Sequence, residues 1–87
     1  MYSIETTDDF NKQFKKLDKS VQQLIAKWIK KHLISTDNPR AQGKALTANY
    51  KGYWRYRIGD YRMIVEIDDG ELIIFAIGIA HRSEVYK

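Results

Sequence analysis

The spacing of apolar residues changes character twice along the chain. Met1 to Glu5 alternates apolar and polar side chains, and this predicts a short opening strand. Thr6, Thr7, Asp8 and Asp9 follow as a cluster of capping residues, with acidic groups where a helix N-terminus favours negative charge, so a first helix is expected to start there. Phe10, Phe14 and Leu17 then form one apolar stripe. Asp18 and Ser20 are both candidate caps for a second helix, and Ser20 with Gln23 fits the capping-box spacing. Val21, Leu24, Ile25, Trp28, Ile29 and Leu33 repeat at helical spacing, while Lys19, Gln22, Gln23, Lys27, Lys30 and Lys31 make the opposite face, the pattern of an ordinary solvated surface. Pro39, with Asn38 and Gly43, ends the helix and opens a loop. Beyond Tyr50 the period becomes two. Tyr53 to Ile58, Tyr61 to Ile67 and Glu71 to Ile77 read as strands, joined by a two-residue loop at Gly59-Asp60 and a second turn at Asp68-Asp69-Gly70. The expected architecture is α+β: a short N-terminal strand and a two-helix hairpin packed on an antiparallel β-sheet, in the order β-α-α-β-β-β, as one domain over residues 1–87.

A two-residue loop also fixes register. With Gly59 and Asp60 as the loop, Ile58 faces Tyr61, Arg57 faces Arg62, Tyr56 faces Met63, Arg55 faces Ile64 and Trp54 faces Val65. One face of this hairpin is then Trp54, Tyr56, Ile58, Tyr61, Met63 and Val65, an apolar surface for the helices. The other holds Arg55, Arg57 and Arg62. Like charges directly opposite each other on a sheet are destabilising. An anionic ligand relieves that repulsion, and the guanidinium fork matches phosphate oxygens. The competing reading is a surface network in which Glu66, on the same face, neutralises the arginines.

Composition narrows the rest. The chain has 87 residues, 44% of them hydrophobic, and no cysteine, which excludes disulfides, thiolate nucleophiles and Cys-based metal sites. It has no apolar run of membrane-spanning length and no signal-peptide profile at Met1, so a soluble cytoplasmic protein is expected. Fifteen Lys and Arg oppose 11 Asp and Glu, for a net charge of +4. The segment from Lys51 to Met63 carries Lys51, Arg55, Arg57 and Arg62 against Asp60 alone, so a localised phosphate site accounts for the excess better than a diffuse coat. A domain this small buries only about 60% of its surface and is expected to share its stability with a partner.

Of the two histidines, His32 lies in the amphipathic helix as a boundary residue. His81 is expected to follow the last strand and to reach the rim of the arginine face, flanked by Arg82 and followed by Tyr86. Cleaving RNA without a metal requires removing the 2′-hydroxyl proton, stabilising the phosphorane with cations and protonating the 5′-oxygen. The arginines suit the second role, and His81 or Tyr86 the first or third. No metal-ligand or Gly-rich phosphate-loop signature is present, so no metal or cofactor is expected.

Lys44-Ala45-Leu46, the block Tyr53-Trp54-Arg55-Tyr56-Arg57-Ile58-Gly59-Asp60-Tyr61-Arg62, and His81-Arg82-Ser83-Glu84-Val85-Tyr86 resemble the sequence blocks of RelE-type toxins of the RelE/ParE toxin-antitoxin superfamily. The resemblance covers essentially the whole chain. It implies a RelE-like fold and a ribosome-dependent endoribonuclease that cuts mRNA in the A site, contacts rRNA and is held inactive in a hetero-oligomer by a RelB-like antitoxin. By position it assigns catalysis to Arg62, Arg55, His81 and Tyr86, and RNA or phosphate binding to Arg57, Lys44, Lys51 and Arg82. Tyr53 and Arg55 stand where the best-known member has lysines, and Ala80 where it has an arginine. Proton transfer therefore falls to His81, because arginine is a poor general base. The alternative on the same fold is a ParE-like gyrase inhibitor that acts by binding alone. A nucleic-acid-binding module without activity is a third reading.

Overall fold

The computed structural model describes residues 1–81 and Ser83, leaving aside the side chain of Ala48. Its elements are β1 (Ser3–Thr6), α1 (Asp8–Lys15), α2 (Lys19–His32), β2 (Gly43–Ala45), β3 (Trp54–Ile58), β4 (Tyr61–Asp68) and β5 (Ile73–His81), with one 3-10 turn at Ala48–Tyr50 before β3. The expected order is present, and the sheet is larger and more varied than the sequence indicated. It has five strands in the order β1-β5-β4-β3-β2. The additional strand, β2, pairs antiparallel with β3, while β1 pairs parallel with β5, so the sheet is mixed rather than wholly antiparallel. Among the described residues, no helix is long and apolar enough to cross a membrane.

Local chemistry explains the helix ends. Thr7 caps α1: its hydroxyl accepts from the Phe10 N–H at 3.2 Å and donates to the Ala76 carbonyl at 3.2 Å, which ties the start of the helix to β5. Asp18 is the N-cap of α2 but makes no side-chain capping bond, and Ser20 lies inside the helix. The tight turn between the helices is closed instead by Gln22, whose amide donates to the carbonyls of Phe14 (3.1 Å) and Leu17 (2.9 Å).

The helices cover one side of the sheet. Phe10 from α1, Ile25 from α2 and Leu33 just beyond it bury against Tyr56, Ile58, Met63, Val65, Ile74, Ala76 and Ile79. Leu24 departs from the expected stripe. It is 48% exposed, because Val21, Ile25, Trp28 and Ile29 take the sheet-facing positions. All five register pairs expected for the β3–β4 hairpin are present. Gly59 has φ +60° and Asp60 has no positive φ, the arrangement of a type II′ turn, whose twist matches the flanking strands.

Next to this hairpin, β5 carries a bulge. Ile64 pairs with Gly78 but Val65 pairs with Ala76, so Ile77 is an extra residue and the inward-facing set shifts from Ile74 and Ala76 to Ile79. The strand also continues to His81, past the end expected at Ile77.

At the far end of the sheet, Arg40 donates to both carboxylate oxygens of Asp69 at 3.0 and 2.9 Å while its guanidinium lies 5.5 Å from the Trp54 ring. The Tyr2 hydroxyl donates to the same carboxylate at 2.6 Å. The Arg40 and Tyr2 hydrogen bonds hold Asp69 below the usual carboxylate range. Tyr56, fully buried, donates its hydroxyl proton to the Pro39 carbonyl. Burial pushes this phenol up from 10.0 to about 12, against a smaller opposing pull from Arg40. A group whose folded value is raised adds stability below its unfolded value that is lost as pH rises through the folded one. The protein is therefore expected to lose about 2–3 kcal/mol between pH 10 and about 12 through Tyr56. Urea denaturation across that window should show the loss in the parent and not in Tyr56→Phe.

Gly43 is where β2 closes on β3. A Cβ there would lie 2.9 Å from Tyr56 Cε1 and 3.0 Å from the Arg55 carbonyl, closer than packed atoms stand. Gly43→Ala is expected to destabilise the domain by about 1–3 kcal/mol, measured by thermal melting. An unchanged melting temperature would mean that β2 is not held tightly against Tyr56.

Candidate functional site

The side of the sheet away from the helices collects the basic residues. Directly paired residues share a face, so register alone places them. One row across four strands is Lys44, Arg55, Ile64 and Gly78, and the next is Arg57, Arg62 and Ala80. Arg57 and Arg62 are direct partners, with Cβ atoms about 4.5–5.5 Å apart by strand geometry. Arg57 and Lys44 are exposed, while Arg55 and Arg62 are partly buried. Arg55, Arg57 and Arg62 sit on strands whose opposite face is locked into the core by Tyr56, Ile58 and Met63, so the guanidinium groups are presented from a rigid platform.

Two features of this face were not evident from the sequence. Gly78 and Ala80 of β5 leave no side chain larger than a methyl group beside Ile64 and Arg62, so the floor next to the arginines stays low. Lys44, Arg55 and Arg57 also line an open depression of about 350 Å³ with Ala41, Gln42 and Gly43. It forms only because the short strand β2 extends the sheet.

The same face is polarised. Glu5, Phe75 and Glu66 form a row at the other end, with Asp68 beyond. Glu66 stands one diagonal step from Arg55, about 7–8 Å between Cα atoms, but four residues along β4 from Arg62, roughly 13 Å. Glu66 therefore stands nearer to Arg55 than to the Arg57–Arg62 pair. Basic and acidic ends give an extended polyanion one preferred place to lie.

The remaining expected site residues are distributed differently. His81 pairs with Tyr61, in the alternation that includes the buried pair Met63 and Ile79, so it lies on the helix-bearing side and not at the rim of the arginine face. The bulge at Ile77 is the cause, since it reverses which residues of β5 face the core. The His81 ring meets Tyr61 edge-on at 5.4 Å and lines a cleft of about 400 Å³ with Gln13, Lys16, Leu17, Ile79 and Ala80. Its Nδ1 accepts from the Ser83 backbone N–H at 3.3 Å and contacts the Ser83 hydroxyl at 2.9 Å, which orients the ring. Lys51 is exposed in the turn before β3, outside the strand register. Arg82 and Tyr86 lie outside the described residues. Among the described residues, no group of three His, Cys, Asp or Glu is placed to hold a metal ion.

Comparison with known proteins finds relatives that span nearly the whole chain. Residues 4–86 match the family described as the ParE toxin of the type II toxin-antitoxin system parDE. A putative RelE-like toxin protein of Escherichia coli is 33% identical over 99% of this chain and 90% of its own length. Toxin RelE of Mycobacterium tuberculosis is 29% identical over 99% of this chain and 87% of its own. The fold matches the RelBE2 toxin-antitoxin complex of M. tuberculosis with a TM-score of 0.84 at 23% identity, covering 93% of this chain and 98% of that one. Isolated E. coli RelE matches with a TM-score of 0.74 at 22% identity, covering 99% of this chain and 92% of its own. The family match, the relatives spanning nearly the full chain and the shared fold together establish that this chain belongs to the RelE/ParE superfamily of type II toxin-antitoxin toxins, as a RelE-type member.

Proposed function

We propose that this toxin is a metal-independent, ribosome-dependent endoribonuclease that cuts mRNA in the A site. The supporting observation is the direct Arg57–Arg62 pair on the helix-free face, with Arg55 and Lys44 in the adjoining row. A sheet tolerates such a pair at a cost in stability, and a phosphate between the two guanidinium groups removes that cost. In the proposed reaction the 2′-hydroxyl loses its proton and its oxygen attacks phosphorus. The negative charge gathered on the phosphorane is met by Arg62 and Arg57, with Arg55 in support. The 5′-oxygen leaves with a proton, and a 2′,3′-cyclic phosphate results.

His81 is the acid or base in this scheme and Tyr86 an orienting or stacking group, with Lys44, Lys51 and Arg82 as further phosphate contacts. Because His81 stands on the helix-bearing side, its participation requires the RNA to pass over the end of the sheet at the Gly59–Asp60 turn. Neighbouring structures include RelB–RelE complexes, which supports a RelB-like antitoxin as the neutralising partner, in a cytoplasmic hetero-oligomer. An acidic or amphipathic antitoxin segment covering the basic end of the sheet, or displacing the C-terminal residues, suits that role.

Two observations favour the binding-only alternative, a ParE-like gyrase inhibitor: the matched family is described by its ParE toxins, and the one described histidine near the sheet lies away from the arginines. Controlled expression followed by mapping of mRNA 5′ ends separates the two. Cuts in translated messages that disappear with Arg62→Ala support the nuclease. Intact messages with blocked DNA supercoiling support the gyrase reading, and growth arrest that survives both Arg62→Ala and His81→Ala removes the catalytic assignment.

A further inference from the structure

We propose that Gln13, on the exposed surface of α1, is a positioning residue for the arginine face: by holding the bulge in β5 it keeps Gly78 and Ala80, rather than Ile77 and Ile79, beside Ile64 and Arg62. Its consequence for RNA rests on the nuclease reading above, whereas the hold on β5 does not. Two strands flank β5 only as far as Ala76. On one side β4 follows it to His81, but on the other β1 ends at Thr6, opposite Ala76. From Ile77 onward that edge of β5 lies against α1 instead of a strand, and α1 grips it at two points. Thr7, the N-cap, takes the Ala76 carbonyl with its backbone N–H at 3.1 Å and with its hydroxyl at 3.2 Å. Gln13 accepts the Ile79 N–H on Oε1 at 2.7 Å. The two grips stand on either side of Ile77 and Gly78. Helix α1 rises about 9 Å from Thr7 to Gln13, and a strand about 10 Å from Ala76 to Ile79, so both grips close at once.

The bulge decides which residues meet the arginines. Ala76 is buried in the core, and unbroken alternation from it would carry Gly78 and Ala80 inward as well. Ile77 would then stand opposite Ile64 and Ile79 opposite Arg62, two β-branched side chains over a floor that is now bare. With Ile77 as the extra residue, Gly78 pairs with Ile64, Ala80 pairs with Arg62, and Ile79 is buried.

Burial of Ile79 favours this arrangement but leaves its N–H on the side where no strand runs. A bulge takes backbone groups out of the ladder, and a donor left without an acceptor is costly. Gln13 supplies the acceptor. Packing does not call for glutamine there, because Gln13 is exposed and lies outside the stripe of Phe10, Phe14 and Leu17.

The test uses the full chain with three substitutions. Gln13→Met keeps the length of the side chain and removes the acceptor, Gln13→Asn keeps the amide but falls one methylene short, and Gln13→Glu restores an acceptor. Gln13 is exposed, so none of them opens a cavity, and thermal melting checks that each is folded. Register is read by NMR from nuclear Overhauser contacts. The parent and Gln13→Glu should show Arg62 facing Ala80 and the Tyr61 ring against His81. Gln13→Met and Gln13→Asn should lose both while keeping the β3–β4 contacts. Binding is read by fluorescence anisotropy with a 2′-O-methyl RNA strand of about ten nucleotides, which has no 2′-hydroxyl to attack phosphorus and is not cut. Affinity should fall about tenfold in Gln13→Met and Gln13→Asn, the loss of one charged contact, and stay within about threefold in Gln13→Glu. An unchanged register in Gln13→Met overturns the proposal, and so does a changed register with unchanged or tighter binding. Equal binding of the strand by the parent and by Arg62→Ala counts against the phosphate site itself, and the register contacts still decide whether Gln13 holds β5.

Discussion

Arg62→Ala is expected to lower the rate of mRNA cleavage by about 10²–10³-fold. The rate loss is that of removing one preorganised group from a developing oxyanion. The effect of the arginine pair on stability is tested at Arg57. Arg62 is directly opposite Arg57, and relief of a like-charge cross-strand pair is worth about 0.2–1 kcal/mol. Arg57→Thr tests that relief at the exposed partner, where a β-branched residue also suits a strand. Its melting temperature should rise and its cleavage rate fall. Such a result would mark the arginine pair as retained for function at the expense of fold. Cleavage that persists in Arg62→Ala, or a lower melting temperature in Arg57→Thr, would mean that the pair is not organised around a phosphate.

The largest expected loss of stability comes from the other face of the same strand. Tyr56 is fully buried, its ring packs on Trp28, and its hydroxyl satisfies the Pro39 carbonyl. Tyr56→Ala is expected to cost about 3–5 kcal/mol through the cavity alone. Leaving the Pro39 carbonyl without its donor adds about 1–3 kcal/mol if that group stays dry. Small domains have about 5–15 kcal/mol in total, so urea denaturation should find Tyr56→Ala unfolded or close to it. Tyr56→Phe keeps the ring and should lose only the hydrogen bond to the Pro39 carbonyl, about 1–3 kcal/mol. Because Tyr56 lies between Arg55 and Arg57, loosening it also loosens the arginines. Tyr56→Phe should therefore retain cleavage, and Tyr56→Ala should lose it together with its fold. A well-folded Tyr56→Ala would show that the helices, and not β3, carry the core.

How much of this was legible in advance differs from element to element. The β3–β4 hairpin was legible to the residue, because Gly59-Asp60 is a local signal and alternation from a two-residue loop leaves one register. Helix α2 was equally legible from its period, although Leu24 was misplaced: a stripe counted along a sequence is wider than the surface the sheet can cover. Strand β2 was missed because three residues, Gly43–Ala45, carry no periodicity of their own. Its pairing depends on Tyr56 and on the absence of a Cβ at Gly43.

By itself the sequence determined the two helices, the hairpin and the placing of Arg55, Arg57 and Arg62 on one face. These follow from interactions among residues close in the chain, where spacing and turn chemistry leave few alternatives. Only the tertiary structure decided the parallel pairing of β1 with β5, the addition of β2, the polarised sheet and the position of His81. Those depend on contacts between residues distant in the chain, and in the case of His81 on one extra residue. The bulge at Ile77 reverses the alternation of β5, and no periodicity in Glu71 to His81 announces it.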